Sequence, residues 1–265
     1  TSLLAYAQMR KLRIMRTGEL AGPLRLTREQ EWELFKRMAR GGLIARVRPG
    51  LYLVPPRLPL GGSWSPDEIL ALNTLIEDRQ GRYQICGPNA YNRYGFDEQV
   101  PARIYAYNNR LSGERQIGVV SITLIKVADE RLGSTEEVKN SDGLIAVYSS
   151  RVRTLVDAVY DWSRFGSLPR AYDWIRQDLA KKRVTAQDLV RDTLRYGNQG
   201  TIRRIGALLE KEEEPELLLR RLEKALKPSV SLIPWIPNAP KRGKINRRWG
   251  LIINEQQQFV DYQRA

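Results

Sequence analysis

TREQEWELFKRMARGG (27–42), followed directly by LIARVRPGLYLVP (43–55), predicts a capped amphipathic helix running into two short strands. Thr27 and Gln30 stand three apart, the spacing at which each side chain can satisfy a free backbone N–H of the other. At 100° per residue, Trp32, Leu34, Phe35, Met38 and Ala39 fall on an inward side. Glu29, Gln30, Glu33, Lys36, Arg37 and Arg40 fall outward, and Glu31 is the one charge on the apolar side. Gly41-Gly42 ends the helix, since glycine accepts the conformation a helix end needs. Leu43, Ala45 and Val47 then alternate with Ile44, Arg46 and Arg48, and Leu51–Val54 returns after a Pro49-Gly50 turn. Helix plus basic hairpin is the layout of a winged helix-turn-helix, in which the helix enters a major groove and the hairpin reaches phosphates.

Outward from that core, residues 2–12 suit a first helix. Residues 16–21 suit a short second one capped by Thr17 and closed by Gly22-Pro23. Residues 1–57 thus make a small DNA-binding domain. Its expected contacts with double-stranded DNA are Arg25, Thr27, Arg28, Gln30, Lys36, Arg37, Arg40, Arg46 and Arg48. Gln30 suits adenine, Arg37 guanine, and Lys36 and Arg40 phosphates. Taken alone, the mixed charges of the helix also describe an ordinary solvated face; the two wing arginines shift the balance towards DNA.

The charge agrees. The chain of 265 residues carries 44 Lys and Arg against 30 Asp and Glu, a net +14. Residues 1–60 hold 12 Lys and Arg against 4 Glu, so over half the surplus sits in under a quarter of the chain. Such an excess favours a polyanionic partner. Hydrophobic content of 42% is that of a folded protein. One cysteine, Cys86, rules out an intrachain disulfide. The absence of histidine removes Ser-His-Asp and Cys-His catalysis and every His-containing zinc site. No apolar run reaches membrane-spanning length and no signal layout opens the chain, so a soluble cytoplasmic protein is expected.

PPRLPLGG (55–62) reads as a connector, with a second domain over 63–265. A helix is expected to about Asp78, opened by Ser65 as cap and Pro66 at the first helical position. Strands are expected at 83–86, 103–107, 117–127 and 144–148, a small mixed or antiparallel sheet. Helices follow at 150–163, 168–180, 185–196, 200–211 and 215–226, and a last strand at 249–253. The fold class is therefore α+β: a winged helix-turn-helix head on a sheet-and-helical-bundle body. The run Lys241, Arg242, Lys244, Arg247, Arg248 is a candidate second basic surface, for nucleic acid or an acidic partner, or else a solvated loop. The many carboxylates show no metal-ligand or acid/base spacing. Asp157 stands four residues from Arg153 and suits a helix ion pair. No glycine-rich phosphate loop is present, so no cofactor, metal or catalytic residue is expected.

GGLIARVRPGLYLVP (41–55), YQICGPNAYNRYGFDEQVP (83–101), RVRTLVDAVYD (151–161), GNQGTIRRIGALLE (197–210) and WGLIIN (249–254) resemble, in order and spacing, the AbiEi family of antitoxins from type IV toxin–antitoxin (abortive infection) systems. The resemblance implies a winged helix-turn-helix that binds repeats in its own promoter and represses transcription. It also implies a larger C-terminal part that counters a nucleotidyltransferase-like toxin, without requiring a stable toxin complex or enzymatic activity. The alternative is a nucleic-acid-processing enzyme or accessory subunit targeted by its winged helix.

Overall fold

A computed structural model describes residues 2–57 and 64–255, in an α+β fold. It divides into two compact units, residues 1–92 with 98–148 and residues 93–97 with 149–265.

The first unit opens with α1 (Ser2–Met9) and β1 (Ile14–Arg16), then α2 (Arg28–Arg40), β2 (Ala45–Arg48) and β3 (Leu51–Leu53). Strand β3 lies between β1 and β2, antiparallel to both. No helix forms at 16–21. Residues 17–25 are turns, with one helical hydrogen bond from Leu24 N–H to the Leu20 carbonyl. Gly18, Gly22 and Pro23 leave too few helix-forming residues to extend that single turn. The elements keep the order of a winged helix, its second helix reduced to a turn. Leu3, Leu4, Met15, Leu20, Phe35, Met38, Ile44 and Val54 fill its core.

Next come α3 (Glu68–Glu77), β4 (Tyr83–Ile85), α4 (Pro88–Arg93), β5 (Ile104–Asn108), β6 (Gly113–Ile117), β7 (Val120–Lys126), β8 (Thr135–Lys139) and β9 (Ile145–Ser149). Asp67, not Ser65, caps α3, accepting from the Ile69 and Leu70 N–H groups. The strands form one six-stranded mixed sheet in the order β6-β7-β5-β4-β9-β8. Most of the run expected as one strand over 117–127 is β7, while Ile117 ends β6 and pairs with Val120 across the hairpin turn between them. Leu70, Leu72, Leu75 and Ile76 of α3 pack on Ile85, Ile104, Ile122 and Leu124, and Ala45 and Leu53 of the wing join the same cluster. This differs from a cut at 55–62, most of which lies outside the described residues. The wing strands share apolar burial with α3, and each buried leucine contributes about 1.5–3 kcal/mol, so the head and the sheet are one compact unit.

The second unit holds α5 (Arg151–Tyr160), α6 (Trp162–Phe165), α7 (Arg170–Ala180), α8 (Ala186–Tyr196), α9 (Gln199–Lys211) and α10 (Glu216–Lys224). A small sheet of β10 (Ile233–Pro234), β11 (Lys244–Asn246) and β12 (Leu251–Ile253) follows. Ser150, Thr185 and Asn198 cap α5, α8 and α9 through their side chains. Trp235 and Trp249 are fully buried, and Trp235 stacks on Tyr172 with centroids 3.9 Å apart. Among the described residues, no helix is long and apolar enough to cross a membrane.

Candidate nucleic-acid interface

Helix α2 begins with the expected reciprocal cap. Thr27 Oγ1 accepts from the Gln30 N–H at 3.2 Å, and Gln30 Oε1 accepts from the Thr27 N–H at 2.9 Å. This changes the expectation for Gln30. Bidentate reading of adenine needs both ends of the amide, and its oxygen is committed to the cap.

The buried side of α2 is set by Glu31, Phe35 and Met38. Glu31 is fully buried, and among the described residues it is paired to no cation. Its two oxygens accept from the Gly18 and Leu20 N–H groups, each at 2.8 Å, so it closes the turn that replaces the missing helix. Phe35 stacks on Tyr52 of β3, centroids 4.5 Å apart, tying α2 to the wing. Such a pair contributes about 0.5–1.5 kcal/mol beyond its buried area.

With Glu31 inward, Trp32 is turned out. Expected in the core, it is 50% exposed, and the Lys36 ammonium sits 4.4 Å from its ring centroid. Lys36 also meets Glu33 at 3.5 Å. Arg28, Arg37 and Arg40 are exposed on the same helix, and Arg25 is exposed in the turn before it, with φ of +50°.

The hairpin supplies the other wall. Pro49-Gly50 makes the turn, Gly50 with φ of +81°, a value that favours glycine. The pairing shifts register between Arg46 and Arg48. That bulge overturns the expectation that both arginines share one outward face, because it breaks the period-two alternation between them. Arg46 stays exposed. Arg48 turns to Asp78, donating Nε to Oδ2 and Nη2 to Oδ1, while its Nη1 donates to the Pro49 carbonyl at 2.8 Å. The Arg48 guanidinium holds the Asp78 carboxyl below the usual carboxylate range, and Asp78 raises Arg48 in turn. Arg48 is thus a strut of the wing.

Trp32, Lys36, Ala39 and Arg40 on one side, and Arg46, Pro49 and Tyr52 on the other, line a cleft of about 340 Å³. It offers three cations and two aromatic rings, a composition suited to a phosphodiester chain and the groups attached to it.

The basic run near the C-terminus is divided. Lys241, Arg242, Lys244 and Arg247 are exposed. Arg248 is not part of that surface: it donates to Glu210 at 2.9 Å, Glu216 at 2.7 Å and Glu223 at 3.1 Å. The three carboxylates raise its pKa, Glu216 most strongly.

Several other carboxylates are similarly engaged. Arg153, fully buried, donates to Asp157 at 2.9 Å and stacks over Tyr196, which makes the expected helix pair a core interaction. Arg151 donates to both oxygens of Asp178. Among the described residues, no group of three or more Cys, Asp or Glu is placed to hold a metal.

The sequence matches no protein-family model and no curated protein. In structure the chain is similar to the crystal structure of the RV2827C protein from Mycobacterium tuberculosis, with a TM-score of 0.58 and 14% identity, over 94% of this chain and 89% of that one. At that identity the likeness speaks for the shared α+β fold alone.

Proposed function

We propose that this protein is a non-enzymatic, double-stranded-DNA-binding regulator, acting as a type IV antitoxin that represses its own operon and counters a nucleotidyltransferase-like toxin. The observation that carries the DNA-binding part is the cleft between α2 and the wing, where exposed Arg40, Arg46 and Lys36 surround Trp32 and Tyr52. Arg25, Arg28 and Arg37 extend the cationic margin around it. A winged helix presents this side to duplex DNA, the helix towards base edges and the hairpin towards the backbone. The antitoxin part draws on the resemblance of five segments to the AbiEi family. A non-enzymatic role is supported by the arginine pairing of Asp78, Asp157, Asp178 and Glu210, which leaves these acids poorly placed for acid/base work.

The test is anisotropy with duplexes from the DNA upstream of the chain's own reading frame, titrated with salt. The reading expects log K to fall linearly with log salt, at a slope of about 0.9 per neutralised phosphate. Co-expression with a neighbouring nucleotidyltransferase-like protein tests the second half, and restored growth is the expected result. Cleavage of nucleic acid by the purified chain with Mg²⁺ would replace this reading with an enzymatic one.

A further inference from the structure

Trp32 is a large apolar side chain left half in water on the side of α2 that otherwise carries charge. The core does not need it, since Phe35 and Met38 fill the inner side of the helix. Its ring forms part of the cleft wall with Arg40, Arg46 and Tyr52, where surrounding cations draw in phosphates. Lys36, poised over one face, restrains the indole. We propose that Trp32 is a specificity-determining residue, reading thymine in the major groove through the C5-methyl group. This rests on the DNA-binding reading above and adds to it a named base.

The chemistry of the indole narrows the choice. It has one N–H donor and no acceptor, so it cannot make the paired edge contacts by which Arg reads guanine or Gln reads adenine. The apolar feature in the major groove is the thymine methyl, and an indole face or edge can cover it. Gln30, the residue expected to read adenine, has its carbonyl oxygen tied into the helix cap. Meanwhile Arg40 and Arg46 flank the ring and can hold the backbone of the strand that carries the base.

The experiment selects bound sequences from a randomised duplex library using the full chain, in wild-type form and as Trp32→Ala and Trp32→Phe. Wild type is expected to enrich a thymine at one fixed position of the selected site. Trp32→Ala should keep the salt slope but lose that position, and Trp32→Phe should keep it. In the wild-type site, deoxyuridine in place of that thymine should weaken binding about 4-fold, the worth of one buried methyl, and leave Trp32→Ala unaffected. Thermal melting checks that the half-exposed site tolerates the substitutions. An unchanged selected sequence in Trp32→Ala, an indifferent response to deoxyuridine, or tighter binding to single strands than to duplex overturns the inference while leaving DNA binding in place. If wild type retains no duplex even at low salt, the DNA-binding reading and this inference fall together.

Discussion

Arg48 grips both oxygens of Asp78, each at 2.6 Å, across thirty positions of sequence. Asp78 caps the C-terminal end of α3, where the helix dipole disfavours negative charge, and its side chain is only 7% exposed. The arginine therefore stabilises a carboxylate that would otherwise be costly there, and in doing so fixes the base of the wing.

Arg48→Ala and Arg46→Ala should accordingly act in different ways. Among the described residues, the first leaves Asp78 with Arg16 at 3.4 Å and Arg79 at 3.8 Å. We expect it to cost about 1–2 kcal/mol in urea unfolding, the low end for a nearly buried carboxylate because Arg48 is itself over a third exposed. The second should leave stability within about 0.5 kcal/mol and lower the DNA salt slope by about 0.9. The reverse assignment of effects would remove Arg48 from its structural role.

Alkaline pH should loosen the first unit through Tyr83. Burial pushes its hydroxyl pKa up to about 12 from 10, and the hydroxyl donates to Asn73 Oδ1 at 2.5 Å. The folded state favours the neutral phenol, so the contribution is complete below pH 10 and is lost as pH climbs from 10 to 12. Wild type should lose on the order of 2 kcal/mol over that window that Tyr83→Phe does not lose. Parallel pH profiles for the two proteins would contradict this. Asp78 works at the other end: its depressed pKa contributes stability above about pH 3.9, lost as acid titrates it below that value.

Gly206→Ala should be among the most disruptive small substitutions. A Cβ there would lie 2.2 Å from the ring of the fully buried Trp249. Neither α9 nor the indole has room to withdraw, so a loss of about 3 kcal/mol is expected, at or beyond the upper range for overpacking. Calorimetry would register it as a drop in Tm of several degrees.

Within the basic run, Arg248→Ala should behave unlike its neighbours. It leaves Glu210, Glu216 and Glu223 facing one another without their shared cation. We expect a loss of about 1 kcal/mol, kept modest by the exposure of Glu216 and Glu223. Lys241→Ala with Arg242→Ala should be neutral in the same melt.

How far the sequence disclosed this arrangement depends on the reach of its signals. The reciprocal cap at Thr27, the helix length and the hairpin around Gly50 are local patterns, and they match the observed elements. Apolar character alone assigns Trp32 to the core, which the structure contradicts. Glu31 outweighs it, since two otherwise unpaired N–H groups need an inward carboxylate. Trp32 lies one residue on, about 100° around the helix. Strand β1 is too short to show a period, and the partner that Arg48 meets past the bulge, Asp78, lies far along the chain. The stretch at 55–62 has a linker's composition, yet Leu53 before it and Leu70 after it share one core, a long-range fact that no local pattern carries.

Glu31 has a consequence for how this head could be altered. A carboxylate beneath α2 positions the helix, with Phe35 and Met38 beside it, so on the DNA-binding reading proposed above the exposed residues of its outer face serve as exchangeable lettering on a fixed type-block. On that reading, a variant that rewrites Arg28, Trp32, Lys36, Arg37 and Arg40 together, keeping the three beneath, should inherit the same mounting and differ in what it spells.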